Sequence, residues 1–339
     1  MVGDRAAIKE TVQQLRTKVS LKEVGHLTEY VGCTVIKDHR FRKLFICQPD
    51  LLAKLEHTFK SEISNLQRYK TPAAPGEIIM KAASDYEKVD AETHKMFQSG
   101  VGMLLYLVKF SRPKISNAVW EIAKATDGPT KAHVKSLMRL IKYVVDTKDH
   151  GLVMEPKNND NNNLWEMQAY CDSDYAGDLD GCKSILGFII YICGCPISWK
   201  SRGQKAVTLS SSEAEYVAIS ELCAEVMFLK QVLEFLQVEV KLPIIIRVDN
   251  VGAIYLAHNA TSGPRTKHVD IRYHFVRDYI EDGIVKILFV KSADNDSDIY
   301  TKNLGEELFN KHSKKYIETL EPIVGYGKGV GKSVYSDVN

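Results

Sequence analysis

The sequence predicts an α/β protein: a mixed five-stranded sheet with flanking helices, preceded by a smaller and mostly helical region. Between residues 164 and 320, apolar runs and helical patterns follow in the order β-β-β-α-β-α-β-α, which implies a mixed sheet. Before residue 150, several segments show helical periodicity. The polar run 157–163 separates the two patterns, and 339 residues suffice for two domains with separate cores.

The first region, residues 1–156, is predicted to open with a hairpin. Its strands cover residues 27–35 and 44–48, and the polar run 37–40 forms the turn. Proline residues at 113 and 129 stand just before two of the later helices, where proline is tolerated. The helices of this region are predicted over 49–59, 92–110, 115–125 and 131–147.

The second region, residues 164–320, follows the linker 157–163. A Ser-Ser-Ser-Glu run, typical of a helix N-terminus, opens a long amphipathic helix over 211–236. Residues 321–339 are predicted to form a flexible tail. Strands are predicted over 164–171, 184–193, 196–201, 242–248 and 284–290, and further helices over 251–258, 269–281 and 297–319.

Charge and composition limit the possible functions. Residues 1–156 carry 25 Lys and Arg against 18 Asp and Glu, whereas residues 157–339 carry 20 against 25. A basic half suits a polyanion such as nucleic acid, but an acidic half does so only if its carboxylates hold metal ions. The sequence has no apolar run of ~18 residues and no signal-peptide pattern, so we expect an intracellular protein without a membrane partner.

Four carboxylates occupy positions that suggest chemistry. Asp172 ends the first strand of the second region, Glu215 lies in the first turns of the long helix, and Asp249 ends the fourth strand. Asp298 opens the predicted last helix. Ligands of α/β sheets gather at strand ends and helix starts, so the four side chains can converge. Nearby carboxylates that could assist or substitute are Asp174, Asp178, Glu213, Asp294 and Asp296.

Converging carboxylates need cations, and Mg²⁺ prefers hard oxygen ligands. Two such ions ~4 Å apart can activate a water and stabilise a leaving oxygen in phosphodiester hydrolysis. The competing interpretation is that each aspartate merely caps a turn, which is common for a single residue. Four of them in strand, helix, strand, helix order favour a site. The seven cysteines form no ligand pattern with a histidine, so we expect reduced thiols and no structural metal.

Several motifs of the second region together resemble the ribonuclease H domain of copia-type LTR retrotransposon polyproteins. The resemblance covers both the motifs and their spacing. The motifs are Asp172-Ser-Asp-Tyr-Ala-Gly177, Trp199-Lys-Ser-Arg-Gly-Gln-Lys205, Ser211-Ser-Glu-Ala-Glu-Tyr-Val-Ala218, Arg265-Thr-Lys-His-Val-Asp-Ile-Arg-Tyr-His-Phe-Val-Arg277 and Asp298-Ile-Tyr-Thr-Lys-Asn-Leu304.

The first region is similar to the end of the reverse transcriptase of the same polyproteins: palm end, thumb and connection. Glu29-Tyr-Val-Gly-Cys-Thr-Val35 and Ser111-Arg-Pro-Lys-Ile115 are among the matching segments. The family usually has Asp where Lys114 stands. No Asp-Asp pair of the polymerase signature occurs in the chain, so we expect no DNA polymerisation by this chain alone.

The resemblance implies a ribonuclease H-like fold and cleavage of the RNA strand of RNA–DNA hybrids during reverse transcription. It assigns Asp172, Glu215, Asp249 and Asp298 as catalytic metal ligands, with two Mg²⁺ ions, for which Mn²⁺ can substitute. The implied partners are the hybrid and the remainder of the Pol polyprotein, with no small-molecule cofactor. The implied location is the cytoplasmic virus-like particle, with the nucleus as a second place. Candidate nucleic-acid contacts are Lys200, Arg202, Lys205, Ser211, Asn250, Arg265, Lys267, His268 and Arg272.

Three other functions stay open on the sequence alone. The chain can be an inactive nucleic-acid-binding remnant of a retrotransposon polyprotein, in which the basic first half contacts a duplex. It can be a purely structural subunit. A DNA-cutting integrase or transposase on a related fold is the least compatible, because neither the position of Glu215 nor the cysteines fit it.

Overall fold

The computed structural model describes residues 5–21, 27–38, 42–84, 88–157, 164–259 and 275–320. These residues form two five-stranded sheets and the helices around them. The strands are β1 (Glu29–Tyr30), β2 (Cys33–Asp38), β3 (Lys43–Cys47), β4 (His150–Met154), β5 (Met167–Asp178), β6 (Lys183–Ile192), β7 (Cys195–Gly203), β8 (Ile244–Val248), β9 (Val285–Phe289) and β10 (Ile317–Thr319). The α-helices are α1 (Arg5–Arg16), α2 (Pro49–Thr58), α3 (Lys60–Ile63), α4 (Ala91–Phe110), α5 (Ser116–Ala123), α6 (Lys131–Asp146), α7 (Ser211–Phe235), α8 (Val251–His258), α9 (275–281) and α10 (Glu306–Ser313).

The second sheet confirms the predicted mixed five-stranded architecture. Its strand order is β7-β6-β5-β8-β9, with β5 in the centre. The central strand pairs antiparallel with β6 and parallel with β8, and β8 pairs parallel with β9. The first strand of the region and the fourth are therefore neighbours whose carboxyl ends lie at the same edge.

The two faces of this sheet pack against different parts of the chain. Alternate residues of β6 belong to two cores, because side chains of a strand point to opposite faces. Phe188 and Ile190 pack with α7 and α8, whereas Ile189 and Tyr191 pack with the helices of the first region. The indole N–H of Trp199 on β7 donates to the Val108 carbonyl of α4 at 2.9 Å. The first region therefore covers one face of the second sheet.

The first region also contains its own sheet, of which the sequence predicts only the hairpin. All its strands are antiparallel, in the order β1-β2-β3-β4-β10. The last of them comes from the end of the second region, where Ile317 pairs with Leu152. The division of the chain at 157–163 stays a prediction, and residues 158–163 lie outside the described residues.

The predicted last helix, 297–319, is wrong in its extent. The structure has a 3₁₀ turn at Asp298–Tyr300, then α10 and β10. Between the 3₁₀ turn and α10, the side-chain amide of Asn303 donates to the Glu77 carbonyl at 2.7 Å, and its oxygen accepts from Asn117 at 3.1 Å. These hydrogen bonds tie the segment between the 3₁₀ turn and α10 to the first region, and Gly305 is the N-cap residue of α10.

None of the described helices has the length and apolar composition needed to cross a membrane.

Candidate metal centre

Asp172 and Asp249 lie side by side at the edge of the second sheet. Tyr170 on β5 is in register with Arg247 on the parallel strand β8. Two residues further along the chain are Asp172 and Asp249, so the parallel pairing brings the two carboxylates together. Asp249 directly follows β8, as expected, but Asp172 does not end its strand: β5 continues to Asp178 because it stays paired with β6. The Asp172 side chain is buried, whereas Asp249 is half-buried.

Glu215 reaches the same edge from α7. The helix begins after Ser210, whose hydroxyl accepts from the Glu213 backbone N–H at 3.2 Å. One turn later, Glu215 is buried against β5, and its Oε1 accepts from the Ser173 backbone N–H at 3.1 Å. This hydrogen bond fixes the side chain beside Asp172.

The three carboxylates can share one cation. Asp172, Glu215 and Asp249 each offer an oxygen, and these oxygens lie within 4.8 Å of one another. Among the described residues, the buried Oε2 of Glu215 has no hydrogen-bond partner. A buried carboxylate oxygen without a donor is unfavourable unless something compensates its charge. Hard oxygen ligands of this kind fit Mg²⁺ or Mn²⁺.

Asp298 lies next to this cluster, in the 3₁₀ turn and not at the start of a helix. The turn packs closely on β6, where Gly187 pairs with Asp172. A Cβ at Gly187 would lie 2.7 Å from Thr301 and 2.8 Å from Tyr300, so only glycine allows this approach. The Thr301 hydroxyl donates to Oδ2 of Asp172. The glycine therefore lets the turn bring Asp298 to the acidic edge.

The electrostatics of the site reflect crowded negative charge. Burial, followed by repulsion from Asp172 and Asp249, raises the pKa of Glu215 to about 10. Burial and repulsion from Asp172 raise the pKa of Asp298 to about 7. Both groups gain from a cation at this position, because a cation favours their charged forms.

Lys302 supplies a positive charge at the site. Its Nζ lies 3.3 Å from Oδ2 of Asp172 and 3.5 Å from Oδ1 of Asp298. Burial alone would lower the pKa of Lys302, but the charges of these two aspartates outweigh burial and raise it. No role for Lys302 or Thr301 was expected from the sequence. The signal was present, since Lys302 follows Asp298 by four residues within the quoted motif.

The neighbouring acidic residues differ in their surroundings. Burial raises the pKa of Asp174, which lies on the same strand face as Asp172. Asp178 forms an ion pair with Lys124 at 3.1 Å, and Asp294 pairs with Lys311 at 2.7 Å. Asp296 accepts from Tyr191 and contacts His312. Asp178, Asp294 and Asp296 are therefore engaged elsewhere, whereas Asp174 stays close to the acidic edge.

The proposed nucleic-acid contacts fall into two groups. Arg265, Lys267, His268 and Arg272 lie outside the described residues. Of the others, Arg202 forms an ion pair with Glu221, and Lys200 lies over the Phe188 ring at 5.6 Å. Lys205 and Ser211 are exposed, and Asn250 caps α8 by accepting from the Ala253 N–H at 2.9 Å.

Comparison with known proteins gives the family. No family model matches the chain. "Retrovirus-related Pol polyprotein from transposon RE2" of Arabidopsis thaliana is 36% identical over 318 residues, which cover 92% of this chain and 20% of that protein. The corresponding polyprotein from transposon RE1 of the same plant is 31% identical over 324 residues, which cover 94% of this chain and 21% of that protein.

The chain belongs to the Pol polyproteins of copia-type transposons. It spans about a fifth of the length of the curated relatives it matches. This chain is also similar to a solved structure of the foamy viral protease-reverse transcriptase in complex with dsDNA. The match covers 69% of this chain and 41% of the viral chain. The two chains are 12% identical, and the TM-score is 0.34.

Proposed function

We propose that this chain is the ribonuclease H region of its polyprotein, with the end of the reverse transcriptase attached. It would hydrolyse the RNA strand of RNA–DNA hybrids during reverse transcription. The observation that carries the proposal is the convergence of Asp172, Glu215 and Asp249 within 4.8 Å, with Asp298 beside them. The membership of a Pol polyprotein family supports it.

The carboxylates would hold divalent cations, Mg²⁺ in the first place and Mn²⁺ as a substitute. When bound, two such ions supply an activated water and stabilise the leaving oxygen of a phosphodiester. The residues of the chain supply the geometry. The register of β5 and β8 places Asp172 and Asp249, and the Ser173 N–H orients Glu215. Asp298 would add a ligand from the 3₁₀ turn.

The surroundings of the site can receive a hybrid. Asn250 follows Asp249 directly, and the Ser212 hydroxyl donates to its side-chain oxygen at 3.3 Å. Such polar groups can reach the 2′-hydroxyls that distinguish RNA from DNA. The excess of Lys and Arg in residues 1–156 would attract the phosphates of the duplex. The polymerase reaction would come from another part of the Pol polyprotein.

Cleavage of an end-labelled RNA–DNA hybrid by the purified chain with Mg²⁺ tests the proposal. We expect cuts in the RNA strand that disappear in Asp249→Asn, while duplex DNA and free RNA stay intact. If the folded chain binds the hybrid and leaves it uncut with Mg²⁺ and with Mn²⁺, the chain is a binding remnant instead.

A further inference from the structure

Lys302 contacts oxygens of two of the carboxylates that the proposed metal centre would use. Oδ2 of Asp172 faces both the Lys302 ammonium, at 3.3 Å, and the Thr301 hydroxyl. Oδ1 of Asp298 lies 3.5 Å from the same ammonium. On the other side of Asp172, Oε2 of Glu215 has no hydrogen-bond partner among the described residues. Lys302 therefore compensates charge at Asp172 and Asp298, although Oδ1 of Asp298, like Oε2 of Glu215, has no hydrogen-bond partner among the described residues.

The exposure of the side chains shows which partner can move. The side chains of Asp172 and Asp298 are 3% and 8% exposed, whereas that of Lys302 is 38% exposed. A lysine has a flexible four-carbon stem and a strongly hydrated ammonium. Its charge can therefore leave for solvent at little steric cost, while the two aspartates cannot.

We propose that Lys302 is a built-in counterion that occupies the Asp172–Asp298 side of the centre until a second divalent cation displaces it. The inference rests on the proposed metal centre. The first cation binds at Asp172, Glu215 and Asp249, whose oxygens lie within 4.8 Å of one another. The second has to compete with Lys302, so its affinity is lower and depends on the added charge of the substrate phosphates. Lys302 thus acts as a positioning residue that sets the order in which the ions bind.

A metal-binding measurement on the full chain tests this order without any cleavage reaction. Mn²⁺ is titrated into the metal-free protein, and free Mn²⁺ is followed by electron paramagnetic resonance. For the unmodified chain, we expect one tight and one weak site. In Lys302→Met, the second site should tighten by about tenfold or more, because a unit charge a few ångströms away is removed. Lys302→Arg keeps the charge and should keep the weak second site.

Lys311→Met is the matched control, because Lys311 pairs with Asp294 at 2.7 Å on the same segment. This change also removes one positive charge, and we expect no change in either Mn²⁺ site. A purely structural role for Lys302 would lower the melting temperature of Lys302→Met without changing the second Mn²⁺ affinity, and this result would overturn the inference.

The inference and the proposed function can fail separately. If neither the unmodified chain nor any variant binds Mn²⁺, both the proposed function and the role of Lys302 are wrong. If the unmodified chain binds Mn²⁺ and cuts the hybrid, but Lys302→Met binds the second ion no more tightly, only the role of Lys302 is wrong. If Lys302→Met gains the tight second site while no hybrid is cut, the counterion role holds and the nuclease proposal fails.

Discussion

The described part of this protein contains an acidic and a basic cluster that are largely buried, and the repulsion within each is reduced in a different way. The acidic cluster consists of Asp172, Glu215, Asp249 and Asp298 at the edge of the second sheet. The basic cluster consists of Arg112, Lys114 and His150 in the first region. Lys114 and Lys302 line the same small cavity between the two regions.

The basic cluster is relieved by losing protons. Burial, with repulsion from Arg112, places the pKa of Lys114 well below its usual value of 10.5. Its Nζ lies 2.7 Å from Nδ1 of His150. Burial and the neighbouring Lys114 lower the pKa of His150 to about 4. Lys114 is 3% exposed, so no anion reaches it from solvent.

The acidic cluster, in contrast, includes the half-buried Asp249 and adjoins the partly exposed Lys302, so a cation can enter. A buried charge cluster is therefore a candidate site only where a counterion has access. A closed cluster of the same kind lowers stability. This difference leads to four predictions.

The largest expected effect is on the acidic side. Glu215→Gln should lower hybrid cleavage by about 10³-fold, or ~4 kcal/mol of transition-state stabilisation, because a ligand charge is lost. Without metal, it should raise the melting temperature at neutral pH, because the folded chain has to keep Glu215 protonated whereas the unfolded chain gains by ionising it. Glu213→Gln, two residues earlier on α7, is the control and should retain cleavage. Equal loss in both variants would contradict the assignment of Glu215.

A buried lysine with carboxylate partners should behave differently from Lys114. Lys124 pairs with Glu121 and Asp178, each at 3.1 Å, and its side chain is 10% exposed. Lys124→Met should lower the free energy of unfolding by about 3 kcal/mol, because it leaves Glu121 buried without its cation. Chemical denaturation measures the change. The exposed pair of Lys148 and Glu56 serves as a control, and Lys148→Met should change stability by less than ~1 kcal/mol.

Replacing the buried amine of the basic cluster should have the opposite sign. Lys114→Met should raise the free energy of unfolding by about 2 kcal/mol, because an apolar side chain fits a site that already excludes the charged form. The Tyr143 and Phe309 rings, whose centroids lie 5.3 and 5.8 Å from Nζ of Lys114, can pack against the new side chain. Destabilisation in the same denaturation experiment would show that the contact with His150 outweighs desolvation.

Per pH unit, the smallest effects are the slopes of stability against pH, which should oppose each other. The unfolded chain binds a proton at Lys114 up to pH 10.5, but the folded chain loses it at lower pH, so this residue makes stability rise with pH. Glu215 loses its proton near pH 4.5 when unfolded and near pH 10 when folded, so it makes stability fall over that window.

Denaturation with a chelator at several pH values separates the two slopes. Lys114→Met should leave the falling slope of the acidic cluster, and Glu215→Gln should leave the rising one. Addition of Mg²⁺ should flatten the falling slope in the unmodified chain. Identical slopes in both variants would mean that neither group controls the pH dependence.

Much of the acidic edge was predictable because strand periodicity and helix capping are local. Asp172 and Asp249 end apolar runs, and the serines before Glu213 start α7 where expected. The structure brings Asp172, Glu215 and Asp249 together as the sequence analysis expected, and their catalytic role stays a prediction. The extent of the last helix was wrong, because Asn303 is held by Glu77 and Asn117 of the first region.

The sequence by itself determined the mixed sheet, the long helix and the family, because apolar periodicity, caps and motifs are properties of short segments. Only the tertiary structure decided that β10 completes a sheet with β4 and that the first region covers one face of the second sheet. It also decided that Lys302 lies between Asp172 and Asp298. Contacts between segments far apart in sequence leave no local pattern, so a single sequence does not reveal them.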